Sequence, residues 1–235
     1  MPGGAFLQTA ESGERRENSF PGFVFPAEVW YIILVSFRRE GEGMGKRDEI
    51  LLALDIGNVC VRIDPRNFPA ALGLEALPGE VRELFRRYEH GEIDDGQFLE
   101  SAGRALGGRF AAEELAAAFD SILIEAVPGM SELAAGFPLL GVRAVFFSDI
   151  SPRHLRRTEA LFPAFRSISG GVFSFDAGGW KPSAAMFDRF ERLYGVPDLY
   201  TDDRAELIEA ARKRGWRAEV FVSAADLRKK LADLS

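Results

Sequence analysis

The chain has 235 residues, 47% of them hydrophobic, with a net charge of −7 and a pI near 5.1. That supports one sizeable domain with a smaller insertion, and the acidic balance speaks against a nucleic-acid binder, which carries a basic face. A single cysteine, Cys60, allows no internal disulfide and fits a reducing, cytoplasmic setting. The two histidines, His90 and His154, support neither a histidine-rich metal site nor a Ser-His-Asp arrangement.

Residues 1–43 read differently from the rest. Met1–Asn18 is polar and without periodicity, and Phe20–Phe37 is apolar but broken by Pro21, Pro26 and Glu28. Its clean core, Val29–Phe37, is too short to span a bilayer, so no membrane contact is expected. Arg38-Arg39-Glu40-Gly41-Glu42-Gly43 would be encoded by purine-rich codons resembling a bacterial ribosome-binding site just before Met44. The expectation is that Met44 is the native start and that residues 1–43 stand outside the native fold. The alternative is a real N-terminal helix over Ala27–Phe37 that packs on the domain or a membrane surface.

The run Leu51-Leu52-Ala53-Leu54 is long enough for a strand buried on both faces and ends in Asp55. A carboxylate at the carboxyl end of such a strand stands where open α/β sheets bind ligands. Gly57 and Asn58 tolerate positive φ, so the chain can turn there. After Val61 the pattern becomes helical. Val81, Leu84, Phe85 and Tyr88 share one helix face after Pro78-Gly79, and Asp94 with Gln97 opens a second helix as a capping box. Leu115, Ala118, Phe119 and Ile122 mark a third. Residues 65–127 therefore read as an inserted helical module between two parts of a core, 44–64 and 128–235. Arg86, Arg87 and His90 read there as solvated surface.

Beyond the insertion, strands and helices alternate: a strand from Val142 ending in Ser148-Asp149, a helix capped by Ser151-Pro152, and a short strand Val172–Phe175. Gly178-Gly179-Trp180 leads to Lys181-Pro182, followed by a helix over Ser183–Tyr194 with Met186, Phe190 and Leu193 on its inner face. The strand Asp198–Thr201 ends in Asp202-Asp203, and Arg204–Arg214, Arg217–Val222 and Ala224–Leu234 supply a helix, a strand and a helix. Alternation of this kind predicts a Rossmann-like parallel sheet with helices on both faces.

An Asp, a hydroxyl, a lysine and an acidic pair in this order, three of them at strand ends, resemble the four motifs of the haloacid dehalogenase superfamily. Asp-x-Gly-Asn-Val at Asp55–Val59 looks like the sugar-phosphate phosphatase branch, which includes glucose-1-phosphate phosphatase, with the phosphatase domain of soluble epoxide hydrolases as a relative. The resemblance implies a mobile helical cap over 65–127 and a Mg²⁺-dependent phosphatase acting through an aspartyl-phosphate on Asp55. It implies direct metal ligation by Asp55, the Gly57 carbonyl and Asp203, with Asp202 acting through water. Ser148 would donate to a phosphate oxygen, Lys181 would neutralise the transferring group, and Gly57, Asn58 and Asp149 would line the phosphate. The implied substrate is a small phosphorylated metabolite, such as a sugar 1-phosphate. The oligomeric state is left open.

Three positions depart from the pattern. Most of the superfamily's phosphatases have an acid–base Asp where Gly57 stands, although the sugar-1-phosphate branch shares the glycine. The branch has Asn where Asp149 stands, and Asn where Leu207 stands. Asp149 is therefore expected to crowd the phosphate with negative charge. The alternative function is a catalytically weak or inactive relative that binds phosphate or a protein.

Overall fold

The structure is a computed structural model that describes residues 49–234. The expectations for residues 1–43 lie outside the described residues. Five parallel strands form one sheet in the order β5-β4-β1-β6-β7: β1 (Ile50–Leu54), β4 (Val142–Ser148), β5 (Gly171–Phe173), β6 (Leu199–Asp202) and β7 (Ala218–Val220). The strand order reverses at β1, whose neighbours are β4 and β6, and such a switch point is where open sheets bind ligands.

β1 is apolar throughout because both its faces are covered. Leu52 and Leu54 join the larger core cluster, while Leu51 and Ala53 face a second cluster with Phe147, Phe187, Phe190, Tyr200 and Trp216. Each fully buried leucine contributes about 1.5–3 kcal/mol. The helix on that second face, Ala184–Tyr194, buries Met186, Phe187 and Phe190; Leu193, expected inside, is exposed because the inward stripe includes Phe187.

Between β1 and β4 the chain makes an antiparallel ribbon that the sequence reading did not anticipate: β2 (Val61–Ile63) pairs with β3 (Leu123–Ala126). The ribbon brackets four helices: α1 (Asn67–Ala71), α2 (Gly79–Glu89), α3 (Asp95–Ala105) and α4 (Ala112–Asp120). The capping box forms as expected, Gln97 N–H donating to Asp94 and Asp94 N–H to the Gln97 side chain. Tyr88 stacks on Phe98 at 4.9 Å, and Phe98 and Phe68 pack on Phe119 at 4.8 and 5.4 Å, which gives the insertion its own aromatic centre.

The remaining helices are α5 (Met130–Ala135), α6 (Pro152–Leu161), α7 (Ser174–Ala177), α8 (Ala184–Tyr194), α9 (Ala205–Lys213) and α10 (Ala224–Ala232). Ser151 caps α6 by accepting from the His154 N–H. This helix docks the insertion. Arg153 forks onto Asp120 through two bonds of 2.7 Å, and Arg156 reaches Asp95 at 2.7 Å. His154 stacks on Phe119 at 4.0 Å and donates Nε2–H to its carbonyl; burial pushes its pKa down to about 4, so the ring is neutral. Among the described residues no helix is long and apolar enough to cross a membrane.

Candidate active site

Asp55 follows β1 directly, Ser148 ends β4, and Asp202 and Asp203 end and follow β6, so three adjacent strands deliver these groups to one edge of the sheet. Lys181 arrives on the loop between α7 and α8. The oxygens of Asp55, Asp202 and Asp203 lie within 4.8 Å of one another. The Lys181 ammonium stands between the first two, 2.8 Å from Asp55 Oδ1 and 2.6 Å from Asp202 Oδ2, and donates a third bond of 2.9 Å to the Phe147 carbonyl. All three of its donors are thereby used. Lys181 is 5% exposed and Asp202 fully buried.

Three carboxylates against one ammonium leave the cluster short of positive charge. Burial, opposed in part by Lys181 and reinforced by Asp202, raises the Asp55 pKa to about 7; Ser148 beside it favours the charged form. Burial also raises Asp203, against the hydrogen bond from Asn58. Lys181 behaves oppositely: burial works against its charge, but Asp55, Tyr200, Asp202 and Asp149 outweigh that and push it well above its ordinary range. Asp202 resists burial because Lys181 and Tyr200 both bond to it, and stays below the usual carboxylate range.

The supporting contacts show how the expected site residues are held. The left-handed residue of the turn is Asn58, with φ 53°, and not Gly57. The Asn58 side chain, expected beside the phosphate, is held by the protein: Nδ2 donates to Asp203 at 2.9 Å, and Oδ1 accepts from the Ile63 N–H at 3.1 Å. Asp149, expected to crowd the phosphate, turns to the lysine loop and accepts the Lys181 backbone N–H at 2.8 Å, with Arg204 at 3.8 Å. Burial still raises its pKa. Leu207 is buried in the first turn of α9. Cys60 is buried, as expected, and donates weakly to the Asp55 carbonyl.

Tyr200, whose hydroxyl donates to Asp202, was not identified from the sequence; the only available signal was its spacing, two residues before Asp202 on a strand, which puts both on one face. Asp149→Ala will strand the Lys181 N–H and should lower urea stability by about 1–3 kcal/mol, whereas Asp149→Asn keeps an acceptor and should lose less than half as much. Equal losses would mean that this hydrogen bond is not what Asp149 contributes.

A parallel sheet with a carboxylate–lysine–carboxylate cluster at its switch point defines an α/β protein with a polar, ligand-ready strand edge. No family model and no curated protein sequence matches the chain. Solved structures do. A HAD family enzyme of Bacteroides thetaiotaomicron, in complex with magnesium and inorganic phosphate, superposes with a TM-score of 0.65 at 16% identity, over 74% of this chain and 95% of that one. A predicted HAD-like family hydrolase from Porphyromonas gingivalis gives 0.61 at 17% identity, over 73% and 90%. The L-2-haloacid dehalogenase of Xanthobacter autotrophicus, with chloropropionic acid covalently bound, gives 0.51 at 15%, over 79% and 83%. The chain therefore has the haloacid dehalogenase fold.

Proposed function

We propose that this protein is a Mg²⁺-dependent phosphatase that hydrolyses a small phosphorylated metabolite, with a sugar 1-phosphate as the leading candidate, through an aspartyl-phosphate on Asp55. The observation that carries this reading is the Asp55–Lys181–Asp202 cluster with Asp203 beside it at the sheet's switch point. The magnesium and phosphate held by the similar Bacteroides enzyme, and the covalent adduct in the dehalogenase, are consistent with it.

The donor set fits the metal. Three carboxylates supply hard oxygens only, the type Mg²⁺ takes. Asp55 and Asp203, with the Gly57 carbonyl, would hold it directly. Both Asp202 oxygens already accept protein donors, Oδ2 from Lys181 and Tyr200 and Oδ1 from the Arg204 N–H, which favours a role for Asp202 through water. The metal, when bound, lowers the repulsion between an anionic nucleophile and an anionic phosphate.

The chain's own groups then divide the work. Asp55 attacks phosphorus through one carboxylate oxygen, and the bond to the leaving oxygen breaks. Lys181 favours the ionised form of Asp55 against burial, holds it in place, and balances charge building on the phosphoryl oxygens. The Ser148 hydroxyl donates to one of those oxygens. Asn58 fixes Asp203, and Asp149 fixes the backbone of the lysine loop. The helical insertion docked through Arg153, His154 and Arg156 acts as the cap that limits water and selects substrate.

The test is phosphate release from glucose 1-phosphate and glucose 6-phosphate, with Mg²⁺ and with excess chelator. Turnover that requires Mg²⁺ and favours the 1-phosphate, whose anomeric oxygen leaves more readily, is expected. Absence of turnover on a wider set of phosphate esters would favour the non-catalytic alternative, for which Gly57 is the supporting residue.

A further inference from the structure

Asp202 is held by donors on both of its oxygens. Oδ2 takes the Lys181 ammonium at 2.6 Å and the Tyr200 hydroxyl, and Oδ1 takes the Arg204 N–H at 2.9 Å. A carboxylate offers about four acceptor sites, two on each oxygen. Oδ2 is therefore filled, and the site left open lies on Oδ1. Tyr200 is the donor that makes this difference. Without its hydroxyl, each oxygen would have one open site and neither would be preferred.

Tyr200 is seated so that this donor cannot drift. It lies within β6, opposite Ala53 of β1 and Ala218 of β7, and it is fully buried. Its ring meets Phe147 at 5.4 Å and Trp216 at 5.8 Å, both edge to face. Strand alternation puts its side chain on the same face as that of Asp202, two residues on. The ring also serves the other partner of Asp202. The Lys181 ammonium lies 5.8 Å from the Tyr200 ring centroid and 5.6 Å from that of Phe147, both within cation–π reach. One side chain thus touches both members of the Asp202–Lys181 pair. Phenylalanine would fill the same space and keep the ring contacts. Packing therefore has no use for the hydroxyl, and its partner is Asp202.

We infer that Tyr200 is a positioning residue for the metal site: its hydroxyl fills Oδ2 of Asp202 and leaves Oδ1 as the only open acceptor, while its ring helps hold the Lys181 ammonium between Asp55 and Asp202. The inference rests on the reading of this cluster as the Mg²⁺ site of a phosphatase. It deepens that reading by naming what orients the carboxylate that acts through water. Tyr200 acts through Asp202 and Lys181 and touches no reacting atom. Removing a partner that orients a metal-site residue costs about 10–100-fold in metal affinity or activity.

The experiment compares full-length wild type, Tyr200→Phe and Phe190→Leu. Phe190 packs in the same aromatic cluster, 5.3 Å from Phe147 and 5.2 Å from Trp216, but carries no donor, so its variant controls for lost packing. Mg²⁺ binding is measured by calorimetry on chelator-stripped protein at a temperature where all three are folded. Phosphate release from 4-nitrophenyl phosphate is followed as Mg²⁺ is varied. Tyr200→Phe should weaken Mg²⁺ binding by about 10–100-fold. Its Mg²⁺ requirement for turnover should rise in step, with KM for the ester unchanged at saturating Mg²⁺. Phe190→Leu should melt lower and bind Mg²⁺ as wild type does. Unchanged Mg²⁺ affinity in Tyr200→Phe, or an equal loss in Phe190→Leu, would make Tyr200 a packing residue and overturn the inference while leaving the phosphatase reading in place. Wild type that binds Mg²⁺ but releases no phosphate would overturn the phosphatase reading alone, because the calorimetry still decides the role of Tyr200. Wild type that binds no Mg²⁺ would overturn both.

Discussion

Lys181→Met is expected to give the largest combined loss of stability and activity of any single change in the site. Methionine keeps the length of the stem but removes the ammonium that lies between Asp55 and Asp202, 2.8 and 2.6 Å away. Two buried carboxylates then face each other without a counter-charge, and breaking a buried ionic cluster in this way costs about 3–5 kcal/mol. The loss should be largest at pH 8 in chelator. It should shrink toward pH 5, because the carboxylates can then take up protons and the mutant no longer buries two charges. Adding Mg²⁺ should recover part of it. Phosphatase activity should fall at least about 10³-fold, since the group that offsets the phosphoryl charge is gone. A stability deficit that does not vary with pH would mean that the lysine stem, and not its charge, is what the fold requires.

Asp55→Asn should separate chemistry from stability in the opposite way. The folded pKa of Asp55 is raised from 3.8 to about 7 in the metal-free protein. A carboxyl raised on folding contributes its full stability below its unfolded pKa and loses it as pH rises through the folded one. At pH 8 the wild type therefore carries the whole penalty of an ionised Asp55, and Asn carries none. In chelator at pH 8 the Asn variant should melt at or above the wild-type temperature, with each kcal/mol worth about 2–4 °C in a domain of this size. The wild type should gain Tm on addition of Mg²⁺, and the Asn variant should lose that gain. Turnover should disappear, because an amide cannot form the acyl phosphate. A variant that melts well below wild type in chelator would show that the Asp55–Lys181 pair stabilises the metal-free fold.

The parts of this site legible in the sequence are those whose chemistry conflicts with their local pattern. Asp55 and the Asp202-Asp203 pair interrupt or end apolar runs, and a charge at the end of a buried strand stands out against period and composition. The fold was legible for the same reason: apolar strands alternate with amphipathic helices whose caps, Ser151 and Asp94, are local signals. β2 and β3 were not, because three or four residues carry too little periodicity and their pairing spans the whole insertion. Asn58 and Asp149 were assigned to the phosphate on motif position alone. Their side-chain partners, Asp203 and the Lys181 N–H, lie 145 and 32 residues away and become neighbours only in the folded chain.

Covalent phosphorylation of Asp55 is the central claim, and its most direct test is chemical trapping. Wild-type protein with Mg²⁺ and glucose 1-phosphate is quenched during turnover, treated with borohydride, digested and sequenced by mass spectrometry. Borohydride reduces an acyl phosphate to the alcohol, so homoserine should replace aspartate at position 55 only. The modification should need both Mg²⁺ and substrate. Steady phosphate release with position 55 unmodified, or with homoserine at another aspartate, would contradict the account.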